Sequence, residues 1–250
     1  MTVLASKSNP KVQRWAKLAR HARLRRDEAR ALIEGPHLVA ELLAAGRKPV
    51  SMLVSESGLG NAEIVALIKG FEPIVLSDSA FCSVVDAETP PGIAAEIEIP
   101  ADATQAGDTV FLEGIQDPSN VGAILRSAAA FGIRRAVIDR ECADPWSPKT
   151  LRAGMGAHFR LGVQHVRSLE DHLAAFGGTL LCTVPRDGTA LKEAKFARPL
   201  GWIFGAEGQG ISAAAARHAR LKVMIPMTGG MESLNVAAAA AICFYETSKA

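Results

Sequence analysis

The chain has 250 residues, enough for one large domain or two ordinary ones, and 48% of them are apolar, enough for a full core. A mean hydropathy of +0.14 fits a compact, alanine-rich soluble protein, whereas a net charge of +2 and a pI of about 8.4, averaged over the whole chain, say little about partners. Its four cysteines, Cys82, Cys142, Cys182 and Cys243, are far apart and form no Cys-x-x-Cys pair. That excludes a secreted disulfide scaffold and a zinc site, and it implies a reducing, cytoplasmic compartment.

The scattered histidines show no ligand spacing, so no metal is expected. The N-terminus alternates polar and basic residues and does not read as a signal peptide. The longest mostly apolar run, Val236 to Tyr245, is shorter than the roughly 20 helical residues that cross a bilayer, so no membrane is expected.

Charge is uneven along the chain. Residues 1–30 hold nine Lys or Arg against Asp27 and Glu28, a net of +7, and the rest of the chain carries −5. A basic arm on a mildly acidic body suits a polyanion, because phosphate contacts dominate nucleic-acid affinity. A solvated helix face would look the same.

In chain order, residues 8–30 read as one long basic helix with Val12, Trp15 and Ala19 on an apolar stripe. Ala31 to Gly35 reads as a strand and Pro36 to Ala45 as a helix stopped at Gly46. Ser51 to Ser55 reads as a strand, Asn61 to Gly70 as a helix and Pro73 to Leu76 as a strand. Thr89-Pro90-Pro91-Gly92 breaks this small α/β module. Ile93 to Ile99 alternates like an exposed strand, and Pro100 to Asp108 is the best linker. The domains are therefore drawn at 1–104 and 105–250.

From Thr109 the pattern becomes strand, loop, helix, repeated. Strands fall at Val110–Ile115, Ala136–Asp139, Thr179–Val184, Trp202–Phe204 and Leu221–Ile225. Short apolar runs alternating with helices indicate an α/β fold, a mainly parallel sheet covered on both faces.

Three segments carry chemistry. Gly205-Ala206-Glu207-Gly208-Gln209-Gly210 follows a strand. It lacks the Gly-Lys-Ser/Thr ending of a phosphate loop, and it is not the first-strand fingerprint of a dinucleotide fold. Taken alone it is either a ligand turn or a structural turn. Ile225-Pro226-Met227 through Ser233-Leu234-Asn235-Val236 opens the last helix. There Ser233 could be an N-cap, and Asn235, one turn in, is a poor helix former. Asn120 and Arg126 lie on either side of a loop-to-helix junction. Asn120 could be a cap. Arg126 could be a surface charge, although its apolar neighbours suit a partly buried, functional arginine.

Asn120-x-Gly122-x-x-x-Arg126, Gly205-x-Glu207-Gly208-x-Gly210 and Ile225-Pro226-Met227 to Ser233-Leu234-Asn235-Val236, in that order, resemble the SPOUT superfamily of RNA methyltransferases. The closest resemblance is to its SpoU/TrmH branch of ribose 2′-O-methyltransferases. The likeness covers residues 109–250 strongly. It reaches weakly into residues 1–100, where Ile33-Glu34-Gly35 and Thr89 to Ile93 look like the family's N-terminal RNA-binding module. Ala237 departs from a common serine, and Gly230-Met231-Glu232 is variable.

The resemblance implies a deep trefoil knot near the C-terminus, S-adenosyl-L-methionine as cofactor and a homodimer with each active site near the interface. It assigns the cofactor to Gly205, Ile225 and Leu234, with Gly210, Met227 and the turn at 182–186 beside them. It assigns catalysis to Arg126, Asn120, Ser233, Asn235 and Glu207.

A guanidinium is always protonated, so Arg126 is expected to stabilise the developing alkoxide rather than act as a base. Glu207 is expected to fix the loops or Arg126. Lys7, Lys11, Arg14 and Arg23 are expected to hold the RNA backbone, with rRNA preferred over tRNA as substrate. A non-catalytic RNA-binding protein on the same fold and a base methyltransferase are the rival readings.

Overall fold

The computed structural model describes residues 3–101 and 106–249, so the expected domain boundary at 104/105 lies outside the described residues. The chain packs as two compact units. The first is Met1–Ala101 together with Trp146–Phe159, and the second is Asp102–Pro145 together with Arg160–Ala250. The sequence places 146–159 in the second domain, whereas in the structure that segment leaves the second unit's chain path and packs within the first.

The first unit begins with α1 (Pro10–Arg20) and α2 (Ala22–Glu28). The single helix expected over 8–30 is broken at His21, whose extended backbone (φ −115°, ψ 106°) ends α1 while its N–H still bonds the Lys17 carbonyl. Asn9 caps α1 through its side chain, and Pro10 sits in the first turn, where a missing N–H costs nothing. Arg25 is buried, and its Nη1 donates to the Leu18 and Ala19 carbonyls at the end of α1. One charge of the basic arm thus closes a helix terminus.

Next come β1 (Arg30–Glu34), α3 (Pro36–Ala44), β2 (Ser51–Ser55), α4 (Ala62–Leu67), β3 (Ile74–Leu76), α5 (Asp78–Val84) and β4 (Ile93–Glu98). The sheet order is β1-β4-β2-β3, with β4 antiparallel to both neighbours and β2 parallel to β3. The expectation that 93–99 is an exposed strand is corrected here, because β4 lies inside the sheet and is buried from Ile93 to Ile97.

Its polar residue, Glu96, accepts hydrogen bonds from Trp15 Nε1 at 2.8 Å and from Arg14 Nη1 and Nη2 at 3.0 and 2.8 Å. Arg14 also donates to Glu28, and Arg30 lies 3.8 Å from Glu96. A buried carboxylate is tolerable when paired and hydrogen-bonded in this way. Val12, Trp15, Leu18, Leu53, Phe81 and Val84 form the apolar core beside it.

The second unit starts with β5 (Thr109–Glu113), α6 (Pro118–Ala130) and β6 (Arg135–Ile138). Helix α7 (Pro148–Gly154) belongs to the first unit, where Arg152 pairs with the buried Glu34 at 2.7 Å and with Asp86 at 2.8 Å. The chain returns through β7 (Gly162–His165), α8 (Leu169–Ala174), β8 (Thr179–Thr183), β9 (Thr189–Ala190), β10 (Leu200–Gly205), α9 (Ala213–His218), β11 (Leu221–Met224) and α10 (Val236–Ser248).

Among the described residues these strands form a seven-stranded sheet in the order β7-β6-β5-β10-β8-β11-β9, with every neighbouring pair parallel. The run Trp202-Ile203-Phe204 in the central strand β10 serves both faces. Trp202 stacks on Phe204, which meets Phe244 of α10 edge-on, while Ile203 packs with Phe111, Leu173 of α8 and Ala215 of α9. Burial on both faces is why this strand reads as continuously apolar. Among the described residues no helix is long and apolar enough to cross a membrane.

Candidate active site

In an open parallel sheet, ligand sites form in the loops beyond the carboxyl ends of the strands. Here the loops after β8, β10 and β11 enclose a cavity of about 850 Å³, within the range of small-molecule sites. All five residues expected at the cofactor, Gly205, Gly210, Ile225, Met227 and Leu234, line it. So do Thr183, Val184, Pro185 and Arg186 of the turn after β8.

Gly205 cannot be replaced without moving the backbone, because a Cβ there would sit 2.1 Å from the Gly210 carbonyl oxygen. That close approach folds 206–210 into a tight loop closed by the Gly210 N–H on the Ala206 carbonyl at 2.8 Å, with Gly208 and Gly210 at positive φ. Glycine backbone together with Val184, Phe204, Ile225 and Leu234 gives the cavity apolar walls. Such a lining suits an adenosyl group, whose base is flat and polar only at its edge.

Asn120, Glu207 and Asn235 meet in one hydrogen-bonded network. Asn120 Nδ2 donates to Glu207 Oε1 at 2.9 Å. Asn235 Nδ2 donates to the same Oε1 at 2.8 Å and to Asn120 Oδ1 at 2.9 Å. Asn235 Oδ1 accepts the Ala237 and Ala238 N–H groups. The first turn of α6, the loop after β10 and the first turn of α10 are thereby pinned at one point.

The local roles differ from the sequence reading in three ways. Asp117, not Asn120, caps α6, and Asn120 is buried in its first turn. Asn235, not Ser233, caps α10, so Asn235 is not an intrusion into the helix but its start. Ser233 is exposed and lines the cavity. Glu207 accepts hydrogen bonds from the two asparagines, and no contact with Arg126 is seen among the described residues.

Arg126 is exposed on α6 and is not among the residues lining the cavity, so the expectation of a partly buried arginine does not hold within one chain. Of the apolar neighbours that suggested burial, Ile124, Leu125 and Ala128 are themselves buried and Ala129 is half-buried, while Arg126 lies on the exposed face of the helix.

Among the residues expected to bind RNA, Lys7, Lys11 and Arg23 are exposed. Arg14 is not available in the same way, because its guanidinium is held by Glu96 and Glu28. Sequence reasoning missed Glu232 as a cavity residue. Its position in the glycine-rich stretch before Ser233 was the signal that could have found it. Among the described residues no group of three or more His, Cys, Asp or Glu could hold a metal.

Residues 108–245 match the SpoU rRNA Methylase family, and residues 9–95 match the MRM3-like substrate binding domain. The chain is 34% identical over 98% of both lengths to the 23S rRNA (guanosine(2553)-2′-O)-methyltransferase RlmP of Bacillus subtilis. An AdoMet-bound rRNA methyltransferase from Sinorhizobium meliloti superimposes with a TM-score of 0.83 at 25% identity, covering 99% of this chain and 97% of that one. A crystal structure of an RNA 2′-O ribose methyltransferase gives 0.82 at 27% identity, over 99% and 98%. The same three glycine- and asparagine-bearing loops that enclose the cavity fall inside the family match, and the chain belongs to the SpoU rRNA methylase family.

Proposed function

We propose that this protein transfers a methyl group from S-adenosyl-L-methionine to a ribose 2′-hydroxyl of ribosomal RNA. The observation that carries the reading is the Asn120–Glu207–Asn235 network, two of whose members, Glu207 and Asn235, line a glycine-bearing cavity. It occurs in a chain that matches a 23S rRNA guanosine 2′-O-methyltransferase end to end.

The cofactor, when bound, supplies a methyl already activated by the sulfonium. The chain then has to position the hydroxyl and stabilise charge. Gly205, Gly210, Ile225, Met227 and Leu234 hold the cofactor. Ser233 and the asparagine pair orient the ribose. Arg126 stabilises the alkoxide that develops as the hydroxyl loses its proton to water or phosphate.

Arg126 is exposed and outside the cavity lining, which supports a homodimer in which this arginine serves the partner's site. Exposed Ile242 and Tyr245 on α10, the helix packed against α6, suit burial in such a pairing. The first unit, with exposed Lys7, Lys11 and Arg23, holds the RNA backbone.

The test is methyl transfer from radiolabelled S-adenosyl-L-methionine to rRNA and tRNA from a strain lacking the gene. Label in alkali-resistant dinucleotides of rRNA that disappears with Arg126→Ala is the expected result. Label on a base, or on tRNA alone, overturns the substrate reading.

A further inference from the structure

Among the described residues that line the cavity, the charged side chains are Arg186, Glu207 and Glu232, so Arg186 is the one cation there. The cofactor of the proposed function carries a sulfonium, an ammonium and a carboxylate, a net charge of +1. One cation and two carboxylates complement that charge, and the cofactor's lone anionic group requires a positive partner.

Helix N-termini are the usual alternative for an anion, and here part of their donors are taken up by side chains. Asn235 Oδ1 takes the Ala237 and Ala238 N–H groups at 2.9 and 3.2 Å, and the Asn235 carbonyl takes that of Ala239 at 3.0 Å. At α9, Glu113 takes the Ser212 N–H at 2.7 Å and Ser212 Oγ takes that of Ala215 at 3.1 Å. Glu207 is committed to Asn120 and Asn235.

Arg186 stands apart from these arrangements. It is exposed in the turn Val184-Pro185-Arg186-Asp187-Gly188 beyond β8, and no carboxylate lies within ion-pairing distance of it among the described residues. Pro185 before it and Asp187 at φ +59° after it restrict the turn, so the guanidinium is presented from a constrained backbone.

We propose that Arg186 binds the carboxylate of the methionyl group and so sets which end of the cavity the amino-acid tail occupies. This makes it a binding and specificity residue: the site takes cofactors with an α-carboxylate in preference to those without one. The inference rests on S-adenosyl-L-methionine being the ligand of this cavity.

The experiment is calorimetric titration of the full chain, without RNA, with S-adenosyl-L-methionine and with its decarboxylated form. The proteins are wild type, Arg186→Ala and Arg186→Lys. Wild type is expected to prefer the carboxylated ligand. Arg186→Ala is expected to lose about tenfold in affinity for that ligand, the size of one partly solvated charged hydrogen bond. Its affinity for the decarboxylated ligand stays as in wild type, and Arg186→Lys recovers part of the loss.

An equal loss for both ligands would mean that the turn shapes the cavity without reading the carboxylate, and it overturns the proposal. So does an unchanged affinity for the carboxylated ligand in Arg186→Ala. Absence of wild-type binding to either ligand instead overturns the cofactor reading itself, and this inference with it. Because Arg186 is exposed, the variants are expected to melt with wild type, which a thermal scan on the same samples verifies.

Discussion

Asn235 Nδ2 lies 2.9 Å from Asn120 Oδ1, a side chain 115 residues earlier in the sequence, and the same nitrogen reaches Glu207 at 2.8 Å. One amide thus serves two purposes. Its oxygen caps α10, and its nitrogen ties α10 to α6 and to the glycine loop.

The two purposes separate by substitution. Asn235→Ala removes both and is expected to cost about 1 kcal/mol of stability from the cap, with at least a hundredfold loss of methyl transfer. Asn235→Asp retains the capping oxygen and its stability but loses the Nδ2 donor and sets a second carboxylate against Glu207. It is expected to melt near wild type and remain inactive. Thermal melts beside transfer rates check this, and an active Asn235→Asp contradicts it.

Gly205→Ala places a Cβ 2.1 Å from the Gly210 carbonyl oxygen, so the 205–211 loop has to move. Cofactor affinity measured by calorimetry is expected to fall beyond detection while the circular dichroism of the sheet is retained. Binding at wild-type strength would show that the loop is not part of the ligand site.

Exposed Arg126 is expected to contribute nothing to melting temperature or cofactor affinity, so Arg126→Ala should change the rate alone. If it serves the partner's site, co-refolding equal amounts of inactive Arg126→Ala and inactive Asn235→Ala yields mixed dimers with one intact site each. Activity then returns to about a quarter of wild type for random pairing in a twofold dimer. No recovery means that Arg126 acts within its own chain or not at all.

Glu96 tests the buried network of the first unit. Burial raises its pKa, but hydrogen bonds from Arg14 and Trp15 outweigh that and hold it below the ordinary 4.5. A carboxylate depressed in the folded state adds stability that is complete above its unfolded value and is lost as pH falls through its folded value. Glu96→Gln is expected to cost about 2 kcal/mol near neutral pH, the loss of charged hydrogen bonds from Arg14 and Trp15, with Arg14 still held by Glu28. The gap from wild type is expected to narrow as pH drops below 4.5. Urea unfolding at a series of pH values reads this directly, and a gap constant with pH excludes the pair as its origin.

Arg152→Ala leaves Glu34, whose side chain is 1% exposed, with the Asp86 and Ala87 amides but no cation. Burial already raises the Glu34 pKa, and losing Arg152 raises it further. About 3 kcal/mol of destabilisation at neutral pH is expected, the cost of a buried charge deprived of its partner, and acid should partly relieve it. Hydrogen exchange of β1 amides locates the effect.

The sequence by itself determined the elements whose signals are local. A glycine that must accept a close backbone, a proline or asparagine beside a helix start, and apolar runs that alternate with helices all act within a few residues. Hence the parallel sheet and the cavity lining at Gly205, Gly210, Ile225, Met227 and Leu234 were legible.

What only the tertiary structure decided depends on partners distant in the chain. Arg14 reads as an RNA contact until Glu96, 82 residues away, holds it, and the apparently exposed strand that carries Glu96 lies inside a sheet because β1 and β2 pair with it on either side. Asn235 reads as a misfit until Asn120 and Glu207 explain its amide. Residues 146–159 follow β6 in sequence but pack with the first unit, where Arg152 meets the buried Glu34. Periodicity reports which face of an element is apolar. It does not report which buried charge waits elsewhere for a partner, since that energy exists only once both groups have left water.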